Sequence, residues 1–226
     1  MTKTANSIET IEAGASIDNA SHSVIWMHGL GADANDFVPL IPHIKLNDDI
    51  KLRFVFPNAP VRPITANNGM QMRGWYDIKS LNGIRTGEDE EGLLESMAAI
   101  HHLIEQEIAH GIAAEKIFIA GFSQGSAMTL LSGLRYPQKL AGLIALSGYL
   151  PLADQSDKFS QANHDTAILM CHGTMDPIVP LQLSEQSLQH LQSLGYQVEH
   201  HTYPMQHEVC AEEVADISQF FNKYAV

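Results

Sequence analysis

The segment Ile117-Phe118-Ile119-Ala120-Gly121-Phe122-Ser123-Gln124-Gly125-Ser126-Ala127-Met128 decides the fold. Its apolar first half, up to Gly121, predicts a buried strand. The apolar residues that follow recur at helical spacing: Ala127, Met128, Leu130, Leu131 and Leu134. Between strand and helix stands a Gly-x-Ser-x-Gly pentad, whose glycines leave room where both elements crowd the serine. The pattern predicts a sharp turn that lifts the hydroxyl of Ser123 to the carboxyl edge of a parallel sheet, a nucleophile elbow.

The rest of the chain alternates strand and helix patterns. Apolar runs predict strands at 23–27, 52–56, 140–147, 166–173 and 196–203, with a short edge strand at 8–12. Helical spacing predicts helices at 34–44, 87–111, 180–194 and 209–224. Strands that are apolar on both faces and alternate with helices favour a mostly parallel, twisted sheet with helices on both faces. We therefore predict the α/β class and a single α/β-hydrolase domain over residues 1–226, with 1–22 as an N-terminal extension or edge strand.

Charge and composition narrow the function classes. The chain has 226 residues and a net charge of −13, a surface that repels nucleic acid phosphates and anionic membranes. No apolar run approaches the length of a membrane span, and the first twenty residues lack a signal-peptide core. The two cysteines are too few for a disulfide scaffold, and Cys171 lies in an apolar strand pattern as a predicted buried thiol. We expect a cytoplasmic protein with no nucleic acid partner and no stable membrane insertion; a homodimer is left open.

A serine hydroxyl needs a base, and in α/β-hydrolases the acid and then the histidine follow the serine along the chain. Asp176 comes directly after the predicted strand 166–173, at its carboxyl edge, whereas three other aspartates lie in a polar connection where solvated carboxylates are ordinary: Asp154, Asp157 and Asp165. His207 lies in a loop between the last strand and the last helix. We therefore predict the catalytic set Ser123, Asp176 and His207; the alternatives are an N-cap serine, a turn aspartate and a surface histidine.

The remaining histidines beyond Asp176 fit the base less well. His190 lies inside a predicted helix, and His200 and His201 lie inside a predicted strand. His207 alone combines the chain order with a loop at the correct sheet edge. A histidine base must be neutral to take a proton, so the rate should fall on acidification.

The tetrahedral intermediate of acyl transfer requires N–H donors aimed at its oxyanion, each worth about 3 kcal/mol of barrier. The backbone amide after the nucleophile, that of Gln124, is one expected donor. The glycine-broken loop His28-Gly29-Leu30-Gly31 follows an early strand and lets backbone approach substrate. We assign the second donor to the amide of Leu30, and we expect His28 to orient this loop.

These motifs together resemble the small carboxylesterase and acyl-protein thioesterase family, also described as lysophospholipase-like esterases. The resemblance extends from about residue 23 onward and is carried by these stretches: His28-Gly29-Leu30-Gly31, Pro57-Asn58-Ala59-Pro60-Val61-Arg62-Pro63-Ile64-Thr65, Arg73-Gly74-Trp75-Tyr76-Asp77, the pentad 121–125, His172-Gly173 with Asp176 and Val179-Pro180, and Met205-Gln206-His207. It implies the same triad and the same oxyanion donors. It also implies an acyl groove walled by the segment around Trp75, without metal or cofactor. Ser126 and Gln206 stand where many members have glycine, which suggests a narrower space beside the nucleophile and a stiffer histidine loop.

Residues 58–81 predict a long irregular segment with an apolar set formed by Met70, Met72, Trp75, Ile78 and Leu81. Loops of this length are usually functional, and methionines adapt to varied apolar shapes. We interpret Trp75, Met70 and Met72 as the substrate groove under a mobile flap, with ordinary core cover as the alternative.

Other motifs are interpreted as ordinary structural features and not as functional sites. His207-Glu208 begins like a zinc-protease helix, but Ala211 stands where the second histidine belongs. His101, His102 and His110 have acidic neighbours on a predicted helix and are interpreted as a solvated face. We therefore predict no metal and no cofactor.

The sequence thus predicts a serine carboxylesterase that cleaves ester or thioester bonds of short to medium acyl chains through an acyl-enzyme on Ser123. Its substrate is a small ester, a lipid or an acylated protein; acyl-protein thioesterase and lysophospholipase are the physiological alternatives. A non-catalytic binding module on the same fold is the alternative from another class.

Overall fold

A seven-stranded sheet forms the centre of the protein, and the structure, a computed structural model, describes residues 8–79 and 87–225. Along the chain the strands are β1 Thr10–Gly14, β2 His22–Met27, β3 Leu52–Pro57, β4 Val61–Ile64, β5 Met70–Arg73, β6 Ile117–Phe122, β7 Gly142–Leu146, β8 Ala167–Gly173 and β9 Val198–Tyr203. The sheet order is β1-β3-β2-β6-β7-β8-β9. β1 pairs antiparallel with β3, and the other neighbours are parallel. The predicted edge strand 8–12 forms two residues later, as β1.

Within residues 8–79 and 87–225, four α-helices cover the sheet: α1 Glu90–Ala109, α2 Gln124–Arg135, α3 Leu181–Ser193 and α4 Ala211–Tyr224. Successive side chains of a strand point to opposite faces, and in β6 Ile117 and Ile119 join the core that contains α1, α2 and α3. Phe118 and Ala120 join the second core, with the apolar side of α4. The predicted doubly covered, mostly parallel sheet is therefore confirmed. Within the described ranges, no helix has the length and apolarity needed to cross a bilayer.

Two sequence predictions about local structure were wrong. Residues 34–44 do not form an α-helix; only a 3₁₀ helix at Val38–His43 is present, because Pro39 and Pro42 remove backbone donors. The segment 58–81 is not irregular throughout, since β4 and β5 pair as an antiparallel hairpin. The predicted flap residue Leu81 lies outside the described residues.

The parallel arrangement places one set of loops at one edge of the sheet. Ser123 follows β6, Asp176 follows β8, and His207 follows β9. The carboxyl ends of parallel strands meet at the same edge, so the three residues face a common space.

Candidate active site

Ser123 occupies the turn between β6 and α2 in a strained conformation, with φ 56° and ψ −116°. The glycines on either side make this turn sterically possible. A Cβ on Gly121 would lie 2.2 Å from the carbonyl oxygen of Gly125, and a Cβ on Gly125 would lie 2.2 Å from the carbonyl oxygen of Met27. The predicted strand–turn–helix geometry is therefore present, and backbone strain of this kind is typical of functional sites.

The structure brings the three predicted side chains into one hydrogen-bonded chain. The Oγ of Ser123 lies 2.8 Å from Nε2 of His207, and Nδ1 of His207 lies 2.6 Å from Oδ2 of Asp176. A carboxylate can only accept, so Nδ1 carries the proton and Nε2 is free to accept the serine hydroxyl. The arrangement is that of a nucleophile, a base and an acid that orients the base.

Asp176 is held by donors on both carboxylate oxygens. Its Oδ1 accepts the N–H groups of Ile178 at 2.8 Å and Val179 at 2.9 Å, and its Oδ2 receives His207. The side chain is fully buried. These bonds fix the carboxylate plane, so the imidazole of His207 has one preferred orientation.

His172 supports the same carboxylate and was not predicted as part of the site. Its Nε2 donates to the carbonyl of Val179 at 2.8 Å and lies 3.5 Å from Oδ2 of Asp176. Burial lowers the pKa of His172, so its ring stays neutral beside Asp176. Its position at the end of β8 in the His-Gly pair that precedes the Asp176 loop was the available sequence signal.

The two predicted oxyanion donors lie on neighbouring backbone segments. Gln124 is the first residue of α2, where an N–H has no intrahelical acceptor. In the part of the chain that the structure describes, the N–H of Leu30 also donates to no backbone carbonyl. A Cβ on Gly29 would lie 3.3 Å from Cβ of Ser123, so the loop runs directly beside the nucleophile.

His28 holds the loop 28–31 through two hydrogen bonds of its ring, which fits the orienting role that the sequence suggested. Its Nδ1 donates to the carbonyl of Gly29 at 2.7 Å, and its Nε2 accepts the N–H of Ala59 at 3.0 Å. Burial lowers the pKa of His28, which keeps the ring neutral and both bonds intact.

Trp75 corrects one groove prediction. Its side chain is fully buried and therefore forms no open wall. Its indole N–H donates to the carbonyl of His28 at 2.9 Å, while its backbone N–H donates to the side chain of Gln124 at 2.7 Å. Gln124 also donates to the carbonyl of Tyr76 at 2.7 Å. Trp75 is thus a support between the loop 28–31 and the turn at Ser123, because both of its N–H groups are engaged there.

The two methionines of the predicted groove are more accessible. Met70 is 63% exposed, and Met72 is half-buried on the same hairpin strand, β5. A Cβ on Gly31 would lie 3.9 Å from the sulfur of Met72, which places this thioether beside the loop 28–31. Their role in binding an acyl chain stays a prediction.

The other aspartates and histidines that the sequence offered lie outside the hydrogen-bonded chain of Ser123, His207 and Asp176. Asp154, Asp157 and Asp165 are exposed, and His190, His200 and His201 are half-buried within α3 and β9. His101 corrects the predicted solvated face: its Nε2 lies 2.9 Å from the carbonyl of Ser132, and its ring packs on Tyr136. His102 and His110 are exposed. Among the described residues no group of histidine, cysteine and acidic side chains is arranged to hold a metal ion.

Cys171 is buried, as predicted. The structure also explains how the chain accommodates Ser126, which stands where many members of the family have glycine. The Ser126 side chain is also buried, and a Cβ on Gly148 would lie 2.4 Å from its Oγ. The hydroxymethyl group therefore packs against the loop after β7, where Gly148 leaves space for it.

Comparisons with known proteins agree with this geometry. A family model described as phospholipase/carboxylesterase matches residues 6–225. An acyl-protein thioesterase 1 from Neurospora crassa is 43% identical over 213 residues, covering 89% of this chain and 86% of its own. An acyl-protein thioesterase 1 from Gibberella zeae is 40% identical over 210 residues, covering 89% of each chain.

Solved structures show the same architecture. The crystal structure of Arabidopsis thaliana SOBER1 matches with a TM-score of 0.85 and 33% identity, over 91% of this chain and 99% of that one. Zea mays acyl-protein thioesterase 2 matches with a TM-score of 0.83 at 24% identity, over 96% and 99% of the two chains, which supports the fold. The chain belongs to the phospholipase/carboxylesterase family of α/β-hydrolases and is a serine hydrolase that acts on ester or thioester bonds.

Proposed function

We propose that the chain removes acyl groups from S-acylated proteins through an acyl-enzyme on Ser123. The observation that carries this proposal is the hydrogen-bonded chain from Ser123 through His207 to Asp176. The substrate class is supported by the fungal relatives named acyl-protein thioesterase 1, which match nearly the whole chain.

Acylation begins when Nε2 of His207 takes the hydroxyl proton of Ser123, and Oγ attacks the thioester carbonyl carbon. The carbonyl oxygen becomes an oxyanion that the N–H groups of Leu30 and Gln124 stabilise. Asp176 stabilises the imidazolium that forms and is not itself protonated. The C–S bond then breaks, and the departing thiolate takes the proton from His207.

Deacylation repeats the sequence with water. His207 takes a proton from the water, whose oxygen attacks the acyl carbon of the Ser123 ester. The second oxyanion occupies the same donors. Its collapse releases a carboxylic acid and returns the proton to Oγ of Ser123, so no metal or cofactor is needed for the cycle.

The acyl chain is proposed to lie along the hairpin side of the site. Met70 and Met72 supply flexible apolar surface there, which suits chains of varied shape. Short to medium acyl esters and lysophospholipids present the same carbonyl and are the alternative substrates of this machinery.

We also propose that the enzyme works in the cytoplasm. Cys171 and Cys210 are both free thiols, which fits a reducing compartment. The net charge of −13 argues against a nucleic acid partner.

The proposal is tested by replacing the nucleophile. Ser123→Ala should reduce hydrolysis of an S-acyl peptide by at least about 10⁴-fold, because the residual rate comes from the oxyanion donors and binding alone. Ser132→Ala, a buried serine within α2 that does not face substrate, is the matched control and should keep full activity. Circular dichroism should show both variants folded.

A second readout separates catalysis from simple binding. A fluorophosphonate probe should label the unmodified protein at Ser123 and leave Ser123→Ala unlabelled. If S-acyl peptides bind without turnover and the probe fails to react, the protein is a binding module and the proposal is wrong.

A further inference from the structure

A groove leaves the candidate active site on the side of His207. It has a volume of about 380 Å³, within the usual range of ligand sites, and its wall includes His207, Phe122 and Val209. The rings of Phe122 and His207, which both line the groove, are in contact with centroids 4.7 Å apart and planes tilted by 43°. This surface is separate from the hairpin side, where Met72 lies beside Gly31.

The chemistry decides which half of the substrate this groove receives. His207 lies 2.8 Å from Oγ of Ser123 and must hand the proton to the leaving thiolate. The leaving group therefore departs past the imidazole. Because the ring of His207 forms part of the groove wall, the groove accepts the leaving-group half, which in an acylated protein is the peptide around the cysteine.

The groove is rimmed by negative charge that has no cationic partner. Asp36 and Glu208 line it from two separate segments of the chain, one before the 3₁₀ helix and one before α4, and both are exposed. No lysine or arginine among the described residues forms an ion pair with either carboxylate. Partial burial raises the pKa of Asp36, His28 acts in the opposite direction, and the nearby carboxylate of Asp33 adds a smaller rise. A cationic side chain in the groove would be attracted by the carboxylates of Asp36 and Glu208.

The cavity that adjoins this groove has no acidic residue among the described residues that line it. This second cavity, of about 560 Å³, continues from the shared residues Leu40 and Val209, and it contains His43 and Lys45. A cationic side chain would therefore be attracted close to the scissile bond and not farther along.

We propose that the groove between Asp36 and Glu208 binds the peptide flank of the acylated cysteine and selects a lysine or arginine near that cysteine. This inference rests on the proposed acyl-protein thioesterase function. The two rim carboxylates are thus specificity residues, because they distinguish substrates by the charge of the leaving group and do not touch the reacting carbonyl.

The test uses three S-acyl peptides that share one acyl chain and differ only beside the cysteine, with lysine, norleucine or glutamate at the flanking positions. Thiol release gives kcat/KM for each. The unmodified enzyme should prefer the lysine peptide over the norleucine peptide by about fivefold, as two exposed ion pairs would give. The glutamate peptide should be the poorest substrate, and raising the salt concentration should compress the series.

Variants assign the preference to the groove. In Asp36→Asn with Glu208→Gln, the ratio of kcat/KM between the lysine and norleucine peptides should fall to about one. The matched control is Asp48→Asn with Glu115→Gln, which removes the same charge from exposed residues before β3 and β6, at the opposite edge of the sheet. The control should keep the fivefold ratio and the full rate.

The failures are distinguishable. If all three peptides are hydrolysed equally, or the control loses the ratio as the groove variant does, this inference is wrong and the proposed function stands. If no S-acyl peptide is hydrolysed while small esters are, the proposed function itself fails. A second copy of the chain is the other kind of occupant that such a groove could bind. A dimer in analytical ultracentrifugation that Asp36→Asn with Glu208→Gln dissociates would also overturn the inference.

Discussion

Gln124 serves the site in two independent ways. Its backbone N–H begins α2 beside the nucleophile, whereas its buried side chain accepts from the N–H of Trp75 and donates to the carbonyl of Tyr76. Trp75 in turn holds the carbonyl of His28, which begins the loop of the other expected donor, Leu30. The side chain of Gln124 therefore fixes the distance between the backbone N–H groups of Gln124 and Leu30.

Gln124→Met should separate these two roles. Methionine keeps the backbone donor and much of the volume, but it leaves a buried N–H and a buried carbonyl unpaired, at about 1–3 kcal/mol each. We expect urea unfolding to show a loss of about 2–4 kcal/mol and kcat to fall about tenfold through the displaced loop. Gln192→Met, at an exposed position of α3, is the control and should change neither quantity. Equal kcat in both variants would contradict the positioning role.

Glu213 is a residue whose ionisation opposes folding. It is fully buried in the first turn of α4, and burial raises its pKa from 4.5 to about 8, although the backbone N–H of Cys210 partly offsets this. The folded state therefore retains a proton that the unfolded chain loses. Its contribution to stability is fully present below about pH 4.5 and is lost as the pH rises to about 8.

Glu213→Gln should remove this pH dependence. Relative to the unmodified protein, the variant should gain on the order of 3 kcal/mol in the free energy of unfolding between pH 5 and pH 8.5. Urea unfolding at both values measures the change. Glu212→Gln, the exposed neighbour, should follow the unmodified protein. Parallel curves for all three proteins would show that Glu213 does not cause the loss.

At the scale of elements, the elbow depends on how closely α2 approaches β2. Gly125 lies where a Cβ would meet the carbonyl oxygen of Met27 at 2.2 Å, and backbone cannot yield without separating the helix from the sheet. Gly133 lies farther along α2, and a Cβ there would meet the end of the Leu143 side chain at 2.2 Å. That side chain can shift, at a cost of about 1–3 kcal/mol.

Gly125→Ala should therefore abolish esterase activity and cost more than about 3 kcal/mol, whereas Gly133→Ala should retain the activity with the smaller cost. Both substitutions gain the same helix propensity, so the difference reports the contact at the elbow. Thermal unfolding and a p-nitrophenyl ester assay measure the pair. An active Gly125→Ala would mean that the turn tolerates a wider helix–strand spacing.

The elements that sequence predicted well are those buried on both sides. β6, β7 and β8 are runs of apolar residues whose pattern has few other solutions. The 3₁₀ helix Val38–His43 and the β4–β5 hairpin were missed for opposite reasons. Two prolines interrupt an apolar spacing that otherwise suggests a helix. The hairpin strands are only four residues each, contain few β-branched or aromatic residues, and have just one buried residue between them.

On the scale of the whole molecule, parallel topology explains why distant residues could be grouped from the sequence. Ser123, Asp176 and His207 each follow a strand, so chain order and loop position were sufficient to select them. Trp75 and His172 were beyond this reasoning. Trp75 reaches the carbonyl of His28, 47 residues away, and no spacing in the sequence encodes that contact. His172, near the end of β8, bonds to Val179 in the loop after the same strand, but spacing alone did not indicate that it supports Asp176.

The same topology separates chemistry from stability. The opposite edge of the sheet contains a buried ion pair, in which Nε of Arg53 lies 3.1 Å from Oε2 of Glu107, and Oγ of Ser23 donates to that oxygen at 2.7 Å. Arg53 and Ser23 are the second residues of β3 and β2, and Glu107 lies in the last turn of α1. The cluster therefore joins the sheet to a helix at the end remote from the triad.

Breaking this pair should destabilise the protein without changing the chemical step. Glu107→Gln leaves the buried guanidinium of Arg53 with only the exposed Glu12, and removing one partner of a buried pair costs about 3–5 kcal/mol. Urea unfolding should show this loss while kcat at 25 °C stays unchanged. Glu105→Gln, an exposed residue of the same helix, should alter neither. If kcat fell together with the free energy of unfolding in Glu107→Gln, the ion pair and the candidate active site would be energetically coupled. The expectation that the two edges of the sheet act independently would then be wrong.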